Sequence, residues 1–304
     1  MDKARLLSLV KAAWLLAVAA GGIYYLAKNF TLARGYLQTL EATRLALAFA
    51  LILAMRILHP HLVQRSLALV DRQLDFSQVF SIVSISQLGK YIPGGVWQFV
   101  ARFSAYRQNQ LTYKDMGKAF ILENIWLVLG SFFVGVSFVL LGQPAFLLRP
   151  SGPFPSPAAL RIFAYLSLLL WAATLFASEY GLKSARRKPS APAALAQLFS
   201  QTSMWIFLGL SFACLLPHLQ TGDTFWLVSG AFILSFLAGY VAIFAPGGIG
   251  VREYVAVLLL SALFSPAEIG IVAIVHRLLY TLAEFLLAGI AWLLPRFLPP
   301  GENL

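Results

Sequence analysis

Runs of about 20 apolar residues recur from one end of this chain to the other. A helix of that length crosses the ~30 Å hydrocarbon core of a bilayer, where every backbone polar group must be satisfied within the segment. Only 12% of the residues are charged and 60% are hydrophobic, a balance foreign to a water-soluble core of this size. The largest polar segments, 60–75, 105–118, 143–159 and 183–193, are loop-sized. The 304 residues therefore read as one all-α, polytopic membrane domain, 1–304.

Six segments read as full spans: 8–27, 43–59, 118–142, 160–181, 195–217 and 268–294. The first 28 residues, with Lys3 and Arg5 ahead of an apolar run, are predicted to be a first transmembrane helix that also directs insertion. Two further regions are broken by the same turn, Pro93-Gly94-Gly95 and Pro246-Gly247-Gly248, 153 residues apart. The arms around Pro93 are about 16 and 13 residues long, too short to cross. Ser77, Ser81 and Ser84 recur on one face of the first arm, which must look onto protein or water. Around Pro246 the second arm, 250–264, is again short, whereas the first, 225–245, is long enough to span. Both regions read as re-entrant hairpins, because broken backbone at membrane depth survives only when it is buried in protein or lines a cavity. A pair of kinked helices is the plain alternative.

Charge sets the orientation. Lys183, Arg186, Arg187 and Lys188 form the strongest basic loop, which the positive-inside rule places in the cytoplasm. Counting outward puts both termini inside as well, with 12 Lys and Arg on inside segments against 5 outside. The loop 28–44 is more basic than its outside position predicts. Each half, 1–142 and 143–304, then reads span, span, hairpin, span. An odd number of crossings inverts the second half. Inverted repeats with broken helices meeting near the midplane are the pattern of alternating-access transporters.

Ionisable residues cluster around the two turns. Lys90 precedes the first, and Trp97, Gln98 and Arg102 follow it. Gly250, Arg252 and Glu253 follow the second. Thirty residues beyond each proline stand Glu123 and His276, the latter followed by Arg277. A charge at the middle of a spanning helix costs ~2.5–3.5 kcal/mol on insertion scales. Lys90, Arg102, Arg252 and Arg277 would repel one another in one site unless an anion joined them. Glycine turns at helix N-termini add free N–H groups and a positive dipole end, which suit phosphate. A structural reading stands beside this one, in which Glu123, Glu253 and Glu284 pair with the cations to hold helices together.

Other chemistry is not signalled. The chain has no phosphate-binding G-x-x-x-x-G-K-[ST] loop, no H-E-x-x-H and no nucleophile elbow. Asp71 and Asp75 read as a solvated turn, His59-Pro60-His61 as a helix-end cap, and the lone Cys214 as a small core residue. No cofactor is expected. The +11 net charge fits loops on anionic headgroups better than nucleic acid, since no basic stripe carries interleaved aromatics.

The segment Gln87–Trp97 with Arg102 resembles the first motif of the flippase-like membrane domain of lysylphosphatidylglycerol synthases. Leu122-Glu123 resembles the next marker, Ala245–Glu253 the second motif and Arg277–Tyr280 the last. The resemblance implies a lipid translocase fold in a bacterial inner membrane. Without a soluble domain, aminoacyl transfer is not expected, and the chain looks like the stand-alone members associated with polyprenyl-linked sugars. Many members have an arginine, then glycine-glutamate, where this chain has Gly95 and Trp97-Gln98. The missing glutamate points away from a cationic aminoacyl lipid and toward a phosphate- or sugar-bearing one. The expected function is a flippase or scramblase for an anionic phospholipid or polyprenyl-phosphate-linked lipid, with a second copy of the chain, in a homo-oligomer, as a candidate partner. Its headgroup site would comprise Lys90, Trp97, Gln98, Arg102, Glu123, Gly250, Arg252, Glu253, His276, Arg277 and the Pro-Gly-Gly residues of the two turns. The rivals are a lipid-modifying enzyme with Glu123, Glu253 or His276 as general base, and a small anion channel.

Overall fold

The computed structural model describes residues 27–92, 96–143, 156–181, 188–216, 222–242 and 245–294, with Ala20, Gly21, Tyr24 and Leu219 besides. Among them the protein is all-helical, with no strand. Ten α-helices follow in order: α1 Phe30–Thr39, α2 Ala42–Ala68, α3 Phe76–Gln87, α4 Trp97–Gln108, α5 Tyr113–Leu141, α6 Pro157–Gly181, α7 Ala191–Ala213, α8 Asp223–Val241, α9 Val251–Leu260 and α10 Pro266–Leu293. Short 3-10 turns, Leu88–Tyr91 and Pro246–Gly248, follow α3 and precede α9.

Six of these helices, α2, α5, α6, α7, α8 and α10, are long and apolar enough to cross a membrane, the architecture of an integral membrane protein. Five coincide with predicted spans. The sixth, α8, is the first arm around Pro246, while the predicted span 8–27 lies almost wholly outside the described residues. By contrast, α3, α4 and α9 have 12, 12 and 10 residues. At 1.5 Å per residue they reach only about 15–18 Å.

Local chemistry sets the helix boundaries. Thr112 caps α5 by accepting from the Asp115 N–H, and Ser265 caps α10 by accepting from Glu268. Pro266 occupies the first helical turn of α10, where a missing N–H costs nothing. Two boundaries differ from expectation. The span predicted to end at 59 continues through Pro60 to Ala68. Proline gives up the bond to the Arg56 carbonyl, but Leu62, Val63 and Leu67 beyond it are fully buried and hold the last turns in place. The predicted loop 28–44 contains α1, anchored by the Tyr36 hydroxyl donating to the Leu215 carbonyl at 2.7 Å. Arg44 donates to the Leu216 carbonyl at 3.0 Å, just past the C-terminal end of α7. A cation is favourable there, which accounts for one of the basic residues in excess on that side.

Small residues bring the helices together. An added Cβ on Gly230 of α8 would lie 2.5 Å from the Val139 N of α5, and one on Gly209 of α7 would lie 2.9 Å from the Ser229 carbonyl. Close backbone approach of this kind is how helices associate in lipid, where apolar burial offers no driving force.

The two units broken by the turns, α3–α4 and α8–α9, are also tightly closed. Gly89 lies against the backbone of Trp97 and Gln98, with no room for a Cβ. Gly248 has φ +69, and its Cβ would meet the Gly239 carbonyl at 2.7 Å. The two 3-10 turns touch each other, with the Lys90 side chain beside Gly247. Of the predicted stripe on α3, Ser81 and Ser84 are buried in protein and Ser77 is half-buried; Ser86 beside it is buried as well. Gly89→Ala is expected to force the arms of the first unit apart and cost at least about 2 kcal/mol, the scale of overpacking. Gly35→Ala, which meets nothing within 4 Å in α1, is expected to be neutral or slightly stabilising. Thermal melts of the two variants in detergent check the contrast.

Candidate functional site

A cavity of about 570 Å³ lies where the two turns meet α2, α5, α7 and α10. That volume is in the range of small-ligand sites. Its polar wall carries Arg56, Lys90, Arg102, Arg252 and Arg277. Phe99, Phe120, Leu127, Met204 and Phe236 line it as apolar surface.

Three carboxylates divide the five cations. Glu123 holds Arg102 in a two-bond fork, at 3.0 and 2.7 Å, and Arg102 Nε donates to the Tyr106 hydroxyl at 3.0 Å. His59 Nε2 lies 3.4 Å from the same carboxylate. Glu284 binds the Lys90 ammonium at 2.5 Å, accepts from the Tyr91 hydroxyl at 2.6 Å and lies 3.4 Å from Arg56. Glu253 accepts from the Gly250 N–H at 2.8 Å and lies 3.5 and 4.0 Å from Arg252 and Arg277. Arg277 also donates to the Gly247 carbonyl at 3.1 Å.

The Arg102–Glu123 pair is balanced. Among the described residues the other four cations share two carboxylates, Glu253 and Glu284, leaving two positive charges over. The excess converges on one ring. Arg56, Lys90 and Arg252 stand 5.6, 5.4 and 5.5 Å from the centroid of Tyr280. Lys90 also stands 5.2 Å from the Tyr91 ring, and Arg252 stands 5.8 and 5.4 Å from Phe232 and Phe236. Each aromatic face attracts a desolvated cation by ~2 kcal/mol or more but does not cancel its charge. Arg252 is 4% exposed, and its Nη2 has no hydrogen-bond partner. A buried donor left in that state is costly, and an arriving acceptor relieves the cost.

Of the residues predicted for the site, Lys90, Gln98, Arg102, Glu123, Gly247, Gly248, Arg252 and Arg277 line the cavity. Pro93, Gly94 and Gly95 lie outside the described residues. Pro246 contributes backbone to the second turn. Gly250 and Glu253 sit beside the cavity as a cap: Glu253 is the anion at the N-terminus of α9. Two of the N–H groups expected to be free there are used, Gly250 by Glu253 and Gly248 by the Ala245 carbonyl at 2.9 Å. Among the described residues the positive charge of the cavity is that of its side-chain cations. Trp97 is half exposed and does not line the cavity. Nor does His276, which is fully buried, with Nε2 2.8 Å from the Ser211 hydroxyl and its ring 4.5 Å from that of Phe232. One helical step separates it from Arg277, and that step turns it from the cavity toward α7.

Arg56, His59 and Tyr280 were not among the predicted site residues. Arg56 interrupts a long apolar run, a signal as strong as that of Arg102. His59-Pro60-His61 reads as a helix end because proline masks the continuation of α2. Glu284 enters the sequence reading only as a structural partner, a role it does fill.

Neither a family model nor a curated protein matches the chain.

Proposed function

We propose that this protein moves a phosphate-bearing anionic lipid across the membrane, as a flippase or scramblase, with the headgroup held in the cavity. The observation that carries the reading is the surplus of two positive charges around Tyr280, with a buried guanidinium nitrogen of Arg252 that reaches Glu253 only at 3.5 Å and makes no hydrogen bond. A cavity closed by purely structural ion pairs would balance its charges. Several kcal/mol are lost for each ion taken from water without compensation. An incoming phosphate would accept from Arg252 and Arg277, while the acyl or polyprenyl chain stayed in the bilayer.

In this reading the two units broken by the turns are re-entrant hairpins entering from opposite faces, and the halves 1–142 and 143–304 form an inverted repeat. Their meeting turns and the shortness of α3, α4 and α9 support it. Alternating exposure of the hairpins would carry the headgroup past the midplane. The membrane would be a bacterial inner membrane with both termini cytoplasmic, as the loop charges favour. A membrane potential supplies ~2.3 kcal/mol per headgroup charge per 100 mV.

The test is a reconstituted vesicle assay with fluorescent polyprenyl-phosphate or anionic phospholipid and an impermeant quencher. Wild-type protein is expected to expose inner-leaflet probe well above protein-free vesicles, and a neutral diacylglycerol control is expected to show no protein-dependent change. Equal rates for wild type and the Arg252→Ala, Arg277→Ala double variant would refute the site.

A further inference from the structure

Behind the cavity lies a second polar feature that the headgroup site does not use. On α7, Gln197, Ser200 and Gln201 are 0%, 6% and 1% exposed. Both amide atoms of each glutamine, the Ser200 hydroxyl and the Trp205 indole nitrogen have no hydrogen-bond partner, and neither does His59 Nδ1 on α2. The large majority of buried side-chain polar atoms have a partner, protein or water. A dry apolar seam would hold leucines here.

Helix pairing places these atoms at one level. Arg44 of α2 bonds Leu216 beyond the end of α7, and Met55, Arg56 and His59 meet Met204 and Trp205 at the cavity. The two helices are therefore antiparallel, with His59 opposite Gln201. Gly130 of α5 sits under Trp205. α5 runs parallel to α7, since both pair antiparallel with α6 through Ser137–Ala164 and Trp171–Thr202. Seven residues from Gly130, about 10 Å along α5, Glu123 falls between the levels of Gln201 and Gln197. Beyond Gln197 the start of α7 is about 10 Å away. There Arg65 and the Ser190 N–H both hold the buried Glu179, at 2.5 and 3.1 Å.

We propose that this seam is a water file that carries protons between Glu123 and the membrane face bearing Lys188. Amides and hydroxyls both donate and accept, so they can hold a chain of waters without fixing its direction. Glu123 is its inner terminus. The charged and titratable groups facing it are Arg56 and His59 from α2, Arg102 and Tyr106 from α4, and Tyr240 from α8. Arg102 forks onto Glu123 at 3.0 and 2.7 Å. On the headgroup reading proposed above, a lipid phosphate competes for Arg102. The released carboxylate then takes a proton from a hydronium in the file, giving a neutral acid and water, and Arg102 keeps its charge. Lipid and proton would move together.

The experiment loads pyranine into vesicles of phosphatidylcholine, with and without added phosphatidic acid, and imposes a pH step. Lipid movement is followed in the same vesicles. Protein-dependent proton flux is expected, rising with phosphatidic acid. It should fall at least about tenfold in Gln197→Leu with Gln201→Leu, whose thermal stability should not exceed wild type. Glu123→Gln, or Gln201→Leu alone, should lower the flux independently if the double variant fails to fold. No flux above protein-free vesicles, or unchanged flux in the leucine variant with a raised melting temperature, would overturn the proposal and mark the seam as dry. Lipid movement without protons sinks the seam and leaves the headgroup site standing; protons without lipid movement keep the water file but overturn its coupling to the headgroup, and the headgroup reading with it.

Discussion

Replacing Arg252 by glutamine is expected to lower lipid transport about 100-fold without lowering the melting temperature. The two halves of that expectation have one cause. Arg252 is buried, its nearest carboxylate is 3.5 Å away and already held by Gly250, and Arg277 competes for the same group. Its charge is underpaired in the resting protein, so removing it relieves desolvation and repulsion among Arg56, Lys90 and Arg277. With lipid bound the charge is used. A charge-assisted hydrogen bond to phosphate contributes roughly 1.5–3 kcal/mol, and each 1.36 kcal/mol is a factor of ten in rate. The initial rate of probe exposure and a thermal melt on the same preparation check both halves. A structural role for Arg252 predicts the opposite melt, a clear loss.

Arg102→Ala is expected to do the reverse to stability. Its fork to Glu123 is the only balanced cation–carboxylate pair among the five cations of the cavity wall, and both partners are nearly inaccessible, at 6% and 4% side-chain exposure. Removing one partner leaves an uncompensated buried carboxylate, which typically costs 3–5 kcal/mol. At roughly 2–4 °C per kcal/mol for a chain of this order of size, the melting temperature should fall by about 10 °C. Arg102→Leu combined with Glu123→Leu should recover most of that loss, because the unpaired charge is gone, and should still not transport. A melt that does not recover would mean that the pair fixes the fold by its geometry rather than its charge balance.

Much of this arrangement was legible in the residues because the bilayer makes departures from apolar helix expensive. Arg102, Glu123, Arg252 and Arg277 each break an apolar run, and all line the cavity. The turn glycines also signal themselves: Gly247, Gly248 and Gly250 have φ +59, +69 and +86, backbone that side chains resist. What escaped was information carried by direction and partnership. His276 and Arg277 are adjacent in sequence, yet a 100° step on α10 sends one to Ser211 and the other to the cavity. Glu253 reads as a headgroup partner, but its spacing of three from Gly250 makes it the cap of its own helix. Arg56 is masked in the sequence by Pro60, which suggests a helix end nearby. The two glutamines of α7 carry no charge, so their cost appears only once burial is known.

The central claim is that the charge surplus around Tyr280 holds a lipid phosphate. Native mass spectrometry of the purified protein, offered phosphatidic acid together with neutral diacylglycerol, tests it most directly. The expected result is one phosphatidic acid retained by wild type, lost in Arg252→Gln with Arg277→Gln, and no retained diacylglycerol in either. Equal retention by wild type and the double variant, or no preference for the phosphate lipid, would contradict it.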